Sequence, residues 1–534
     1  MKTTIKNLIL SAVLVVGGAS CVDLDTAPYD RETDLTYWEE DPEAAVKALN
    51  TCYTYLGNMD EQLYCEAMTD NAYTKQPNDA TQNIGNGSYS TADPYVKKVW
   101  DGRYTGIRMC NELLENIDRV PDLDPELKKR YIGEAKVLRA YNYYELYTKF
   151  GDVPYTTKVL SIKESMSIAR TAKATVIANV LADLDEVING NYLPTSYDAD
   201  NKGRITRWAA MAIKAKIYLF EGNWTQVKNI TSTIMTEGGF RLFGSYAGLF
   251  EIANEYNSEV ILDAQYRPTS REHQMMYVFL PPTLGGYSQL SPLQELVDSY
   301  IMLDGKTIRE TGTSFDESNP YANRDPRLKA TVMYTGNSYT LADGTEVVIN
   351  CEKGEGKDGY GVGSDCSATG YYIKKYWDNA YRATLYSGLN PILIRYADIL
   401  LMNAEALAEL GELDKTAWDA TIKPIRDRAG FTLASAVEFP EGASKDKLIE
   451  IVRNERRSEL ALEGHRHKDI IRWRIADDVL NGWCHGLKTN EVVGTDNGYV
   501  RVENRAFNAN KHYLWPIPQA ERDLNGNLVQ NPNW

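Results

Sequence analysis

The chain has 534 residues, a net charge of −16 and 43% hydrophobic residues. This length and apolar content suffice for a large buried core. The negative charge argues against nucleic acid and anionic lipid headgroups as partners, because both would be repelled. The aromatic residues are 36 Tyr, 10 Trp and only 10 Phe. Most rings therefore carry a polar group suited to the rim of a binding surface, although we expect the majority to lie in the core.

The N-terminus has the pattern of a lipoprotein signal peptide. Lys2 and Lys6 precede an apolar run at residues 8–16, which is too short to span a bilayer. The sequence Gly-Ala-Ser-Cys that ends at Cys21 resembles a bacterial lipobox, in which the cysteine is acylated and becomes the first residue of the mature protein. The alternative is an ordinary cleavage site beside a chance cysteine. We expect residues 1–20 to be a lipoprotein signal peptide, and Cys21 to carry the only membrane attachment, a lipid anchor.

Helices in pairs, separated by a glycine-containing break, are predicted along much of the chain. Residues 207–221 place apolar side chains at i, i+3, i+4, i+7 and i+11, and a second helix follows at residues 225–236. Residues 396–410 repeat the pattern before a helix that Asp414 can cap. Residues 134–149 form a third such helix. Units of this kind resemble tetratricopeptide repeats. In such repeats, neighbouring helix pairs stack and bury the apolar faces that one pair alone would leave exposed.

The helical pattern lapses in the middle of the chain. The sequence predicts a mainly α fold, with a tetratricopeptide-like helical-pair scaffold at about residues 35–240 and 390–534. A large irregular insert, rich in loops and short strands, is predicted at about residues 241–389. Within the insert, residues 346–349 are β-prone and residues 291–303 favour a helix. Because binding residues favour loops held by a rigid framework, this insert is the first place to expect ligand contacts.

Cysteine and catalytic patterns point to no cofactor, metal site or enzyme. Six cysteines remain after Cys21 and allow 15 pairings; Cys351 and Cys366 bracket a Gly-rich stretch and could close a loop. The chain has no C-x-x-C, G-x-S-x-G, Walker loop or H-E-x-x-H sequence. We therefore expect a protein without catalytic chemistry.

The most charged segment invites a catalytic interpretation that we disfavour. Glu455, Glu459 and Glu463 are spaced i, i+4 and i+8, which would place them on one helix face with Arg456 and Arg466 nearby. Such an arrangement suits partly buried ion pairs that fix helix packing. Structural networks of this kind often imitate acid/base pairs, so we predict a structural role.

The same segment carries a family resemblance. Residues 455–473 resemble the E-R-x-x-E-L-x-x-E-G-x-R-x-x-D-x-x-R-W signature of the SusD/RagB family, surface lipoproteins of Bacteroidota that capture nutrients. Residues 395–406, 513–518 and 530–532 agree with the same family. The resemblance covers essentially the whole mature chain, which implies a single SusD-like domain over residues 21–534.

The resemblance implies a non-enzymatic glycan-binding lipoprotein of the outer membrane, facing the cell exterior. Such a protein captures an oligosaccharide and delivers it to a SusC-like TonB-dependent transporter. The family places ligand contacts in two irregular segments, here residues 70–76 and 285–289. The implied stacking platforms are Tyr73 and Tyr287, with Tyr277 as a further wall and with three hydrogen-bonding partners: Asn71, Gln76 and Gln289.

Three alternatives remain at this point. The ligand could be a peptide, as in the RagB branch, if the site bonds extended backbone and has no paired rings. The chain could also be a lid for its transporter with little binding of its own. A surface glycosidase would need two carboxylates about 5–10 Å apart across a cleft. No barrel-type alternation of strands and helices supports that third possibility.

Overall fold

The computed structural model describes residues 33–75 and 80–534. Cys21, the expected lipidation site, and Gln76 lie outside these residues. The helices are α1 Asp34–Glu39, α2 Ala44–Tyr53, α3 Met59–Tyr64, α4 Ala80–Asn86, α5 Pro94–Asn116, α6 Pro125–Phe150, α7 Ile162–Ser165, α8 Lys173–Asn189, α9 Arg207–Phe220, α10 Trp224–Glu237, α11 Met275–Phe279, α12 Gln294–Ser299, α13 Pro326–Thr331, α14 Tyr396–Leu410, α15 Lys415–Ala420, α16 Ile422–Ala429, α17 Ala434–Val437, α18 Lys445–Glu459, α19 Arg466–Arg472, α20 Ala476–Val479 and α21 Gln519–Leu524.

The strands are short and pair in small antiparallel groups. They are β1 Ala72–Thr74, β2 Val260–Asp263, β3 Leu290–Pro292, β4 Val332–Met333, β5 Ser338–Thr340, β6 Glu346–Val348, β7 Tyr372–Ile373, β8 Ile392–Arg395, β9 Asn481–Lys488, β10 Thr495–Asp496 and β11 Tyr499–Ala506. The pairs are β1 with β3, β2 with β8, β4 with β7 and β5 with β6, while β11 lies between β9 and β10.

The helices form one continuous stack that confirms the mainly α fold and agrees with a tetratricopeptide-like arrangement. Helix α5 packs on α6, α6 on α8, α8 on α9, α9 on α10, α10 on α14, and α14 on α18. A single apolar core runs through the N-terminal helices and also takes in residues near the C-terminus, from Trp38 to Leu528. The chain therefore returns to the scaffold after the insert.

Helix boundaries follow the sequence pattern where a cap or glycine defines them. The pair α9 and α10 is confirmed, and α14 ends at Gly411, whose φ of +73° closes the helix in the left-handed region. The Asp414 side chain accepts from the Ala417 amide at 2.9 Å, as predicted. The following helix differs, because Thr421 interrupts it between α15 and α16.

The insert builds a second apolar core, to which Met59, Leu63 and Ala72 from the N-terminal part and Leu462 and Leu487 from the C-terminal part also contribute. The β-prone run forms β6, which pairs with β5. The helix predicted at residues 291–303 is wrong at both ends, because Ser291 pairs with Tyr73 across β3 and β1 and the chain becomes extended at Tyr300. Helix α12 is accordingly only six residues long. Cys351 and Cys366 are both free and buried, so the conceivable disulfide between them is not formed.

Within the described ranges, no helix combines the length and apolar content needed to cross a membrane.

The three signature glutamates are buried, and their ion pairs join the insert to the scaffold. Glu455 and Glu459 lie in the last turns of α18. Glu463 does not share their helix face, because the chain leaves the helix after Glu459 and Leu462 adopts a φ of +63°. The predicted structural role is confirmed. The partners, however, are not Arg456 and Arg466 but cations from other elements.

Arg395, the last residue of β8 and 1% exposed, is the centre of this network. Its guanidinium bonds Glu459 at 2.6 Å, Glu259 at 2.7 Å and Glu463 at 2.7 Å. Arg327 of α13 reaches Glu459 from the insert at 2.9 Å. Burial alone would raise the pKa of Glu459, but the guanidinium groups of Arg428, Arg395 and Arg327 hold it well below its usual value.

Replacing Arg395 by Ala should destabilise the protein strongly. The change leaves three buried carboxylates without the cation that they share. Removing one member of a buried ion pair typically lowers the free energy of unfolding by about 3–5 kcal/mol. Urea unfolding followed by circular dichroism measures the loss. Lys415→Ala is the control, because its ion pair with Asp419 is exposed and should leave the urea midpoint nearly unchanged. Equal effects from the two variants would contradict the central place of Arg395.

Candidate functional site

Two of the tyrosines implied by the family resemblance stack on each other in the insert. Tyr277 lies on α11, and the loop after this helix folds back so that Tyr287 lies beside it. The Tyr287 amide donates to the Tyr277 carbonyl at 2.8 Å, and the Gln289 amide donates to the Val278 carbonyl at 2.6 Å. The two rings are nearly parallel, at 16°, with centroids 5.9 Å apart. The pair therefore presents an ordered aromatic surface.

The loop that carries Tyr287 is held tightly in place. Gly285 adopts a φ of +87° and Ser288, which is buried, a φ of +47°. The Ser288 hydroxyl donates to the Leu280 carbonyl at 3.1 Å. A Cβ at Gly286 would come within 2.0 Å of that same carbonyl oxygen, so only glycine fits there. These contacts fix the backbone of the loop at Tyr287.

A third ring, Tyr386, completes the surface and was not predicted. It meets Tyr277 edge to face at 84°, with centroids 5.8 Å apart. Its position depends on the neighbouring Ser387, whose backbone exchanges two hydrogen bonds of 2.9 Å with His273. The only feature that could have indicated Tyr386 is a Tyr-Ser dipeptide in the insert, which Tyr287 also has. We call Tyr277, Tyr287 and Tyr386 the ring surface.

Few other aromatic side chains are exposed in the part of the chain that the structure describes. Tyr287 and Tyr386 are 47% and 40% exposed. Among the described residues, only two other aromatic side chains, Tyr256 and Trp483, are exposed to a similar extent. Most of the rings are thus buried or half-buried, as the sequence analysis expected. An exposed large ring is therefore unusual in this molecule, and two of the four lie in one cluster.

Tyr73 and Gln289 flank this region. Gln289 is half-buried, and its carbonyl accepts from the Lys75 amide at 2.9 Å, which ties the loop to the end of β1. The Tyr73 hydroxyl accepts from the Gln82 amide at 3.2 Å, and Gln82 in turn reaches Glu503 of β11. Burial, with a further contribution from Glu503, raises the pKa of Tyr73. The Tyr73 hydroxyl is thus linked through Gln82 to β11.

Asn71 serves the fold and is not available to a ligand. It is 1% exposed. Its amide nitrogen donates to the Glu66 carboxylate at 2.8 Å, and its amide oxygen accepts from Arg457 at 2.9 Å. Both polar atoms of the side chain are therefore engaged inside the protein, so we leave Asn71 out of the candidate site.

A helical scaffold that holds a loop-rich insert with a rigid, exposed group of rings is the architecture of a ligand-binding protein. Comparison with known proteins identifies the family. Residues 249–534 match the model of the SusD family. Residues 37–219 match a second model, described as starch-binding and associating with the outer membrane. Because the first match covers more than half of the chain, the protein belongs to the SusD family.

Relatives match over nearly the full length. The SusD-like protein P25 of Formosa agariphila is 28% identical over 560 aligned positions, which cover 99% of this chain and 98% of that protein. A SusD-like carbohydrate binding protein from Bacteroides fragilis has a crystal structure that superposes with a TM-score of 0.81 at 29% identity. This superposition covers 92% of this chain and all of that one. A laminarin-binding SusD-like protein, 24% identical with a TM-score of 0.68, shares the fold over 92% of this chain and 99% of that one.

Gly286→Ala should destabilise the loop that carries Tyr287. The added methyl meets the Leu280 carbonyl, and forced overpacking of this kind typically costs about 1–3 kcal/mol. Differential scanning calorimetry should show a lower Tm. Gly363→Ala is a matched control, because a Cβ there meets nothing within 4 Å. An unchanged Tm for Gly286→Ala would show that the loop is free to rearrange.

The support beneath the ring surface should weaken in acid. Burial lowers the pKa of His273 to about 4, and the neutral ring donates from Nε2 to the Leu389 carbonyl at 3.2 Å. The unfolded chain takes up this proton near pH 6.5 and the folded chain only near pH 4. The difference in unfolding free energy between wild type and His273→Asn should therefore fall by about 1.4 kcal/mol per pH unit as the pH drops from 6.5 to 4. Urea unfolding at pH 4, 5, 6 and 7 measures the difference, and a constant difference would contradict it.

Proposed function

We propose that this protein is a cell-surface glycan-binding lipoprotein that takes up an oligosaccharide at the ring surface. The observation that carries the proposal is the rigid stack of Tyr277 on Tyr287, with Tyr386 set against its edge. Aromatic faces cover the apolar C–H patches of a sugar ring, while phenol hydroxyls bond the sugar hydroxyls at the rim. Binding of this kind makes and breaks no covalent bond, so the proposed role is non-enzymatic.

The preformed geometry of the ring surface supports a ligand with flat apolar faces. Because its backbone bonds already fix the Tyr287 loop, little conformational freedom remains to be lost on binding. A paired platform favours stacked sugar rings over an extended peptide, which is recognised mainly through backbone hydrogen bonds. The similarity to the carbohydrate binding protein from Bacteroides fragilis points in the same direction.

Delivery to a SusC-like TonB-dependent transporter is the second part of the proposal. A lipid anchor at Cys21 would hold the mature chain, proposed as one domain over residues 21–534, at the outer surface of the membrane. The family description of outer-membrane association supports this location. Loss of the anchor would then release the protein from the membrane without affecting its affinity for glycan.

Substituting the ring surface should weaken glycan binding. Tyr287→Ala and Tyr386→Ala should each raise the Kd about 5- to 30-fold, as expected for aromatic residues at the centre of a site. Isothermal titration against plant, host and microbial polysaccharides, with peptide digests alongside, measures the change.

Tyr256→Ala is the matched control, because Tyr256 is 41% exposed but lies outside the ring surface. It should bind as wild type does. Binding of peptides alone would favour the RagB-like alternative. An absence of binding to any ligand would leave the transporter-lid role as the better account.

A further inference from the structure

A cavity opens in the helical scaffold, between helices α3 and α5. Its volume is about 470 Å³, which is large enough for a short oligosaccharide. One wall is a face of α5, on which Lys98, Val99 and Gly102 lie three, four and seven residues after Tyr95. The opposite wall is the turn between α2 and α3 together with the first residues of α3. The cavity therefore lies between two parts of the scaffold with fixed positions.

Gly102 is the unusual residue of this cavity. It lies inside a 23-residue helix, where glycine is less favourable than alanine by about 1 kcal/mol. A Cβ at Gly102 would meet no atom within 4 Å. The next glycine on the same face, Gly106, differs, because a Cβ there would come within 2.8 Å of Tyr55. Packing explains Gly106 but not Gly102, whose missing side chain leaves open space at the cavity wall.

The base of the cavity is rigid and carries balanced charge. Arg103 is 5% exposed, forms an ion pair with Glu61 and donates to the Tyr55 carbonyl at 3.0 Å. Asp60 and Lys98 supply one further charge of each sign at the rim. The charged groups therefore cancel, and the site favours a neutral ligand over an ion.

The remaining wall residues suit a polyhydroxylated ligand. Tyr55, Tyr64 and Tyr95 line the cavity with aromatic side chains, and Asn58 adds an amide. The Asn58 oxygen caps α3 by accepting from the Glu61 amide at 2.8 Å, which fixes the direction of the side chain. Rings interspersed with neutral polar groups are the surface that sugars need.

We infer that this cavity is a second carbohydrate site, which takes one to three neutral sugar units. The inference rests on the proposed glycan-binding function, but it concerns a different part of the molecule. Gly102 leaves the space that a sugar ring fills, and the tyrosines of the two walls cover the faces of that ring. The scaffold would then hold a short segment or the free end of a glycan, while the ring surface holds a different segment of the same glycan.

The test separates the two sites with substitutions. The probes are maltotriose, laminaritriose, cellotriose, mannotriose and xylotriose, measured by saturation-transfer difference NMR and isothermal titration. The double variant Tyr287→Ala/Tyr386→Ala removes the ring surface. In this background at least one trisaccharide should still bind, and Gly102→Leu should raise its Kd at least tenfold by filling the cavity.

Two further variants control for folding. Gly102→Ala should raise Tm, because the helix gains alanine and no clash, and should weaken binding less than Gly102→Leu. Arg108→Leu places the same side chain at an exposed position of α5 and should leave binding unchanged.

Each outcome has a distinct meaning. Unchanged binding in Gly102→Leu overturns the second site. If the double variant binds no probe that wild type binds, the ring surface is the sole site, so the proposed function stands and this inference falls. If Gly102→Leu removes all binding while the double variant retains it, the cavity is the glycan site and the ring-surface assignment falls. If wild type binds no trisaccharide, the inference is wrong.

Discussion

The buried ion-pair cluster around Arg395 is the interaction on which the rest of the structure depends. Arg395 ends β8, Glu459 ends α18, and Glu259 directly precedes β2 in the insert. Burying these charges is unfavourable unless all of them are bonded together. The insert and the C-terminal helices must therefore dock at the same time, in one relative position. An apolar interface of the same area would tolerate small slippage, whereas fixed guanidinium geometry does not.

This fixed docking explains how loops in the insert can form a rigid surface. Only eight residues lie between Tyr386 and Arg395, and among them Ser387 and Leu389 both bond His273. His273 lies just before α11, which carries Tyr277. Short, hydrogen-bonded segments therefore connect the ring surface to the ion cluster and hold it in place. A binding surface built on loops would otherwise lose affinity, because each side chain ordered on binding costs about 0.5–1.5 kcal/mol.

The sequence predicted most of the scaffold because its helices are specified locally. Apolar spacing, the Asp414 cap and the glycine after α14 are all within a few residues of the element that they define. The site was predicted less well. Tyr386 lies about 100 residues after Tyr287, and contacts between segments distant in sequence, such as the pairing of His273 with Ser387, bring the two together. The family resemblance implied a ligand contact for Asn71, and the sequence does not reveal that its amide bonds the buried Glu66 instead.

Glycine shows most clearly what the sequence leaves undecided. Gly286 lies in a loop and Gly102 inside a helix, and the sequence alone does not show whether either position needs glycine. In the structure Gly286 is required, because the Leu280 carbonyl occupies the space of its side chain. Gly102 faces open space, so neither backbone conformation nor packing explains it. A glycine that the fold does not need inside a long helix leaves room for a ligand, and this open space is the reason why we propose a carbohydrate site in the cavity beside it.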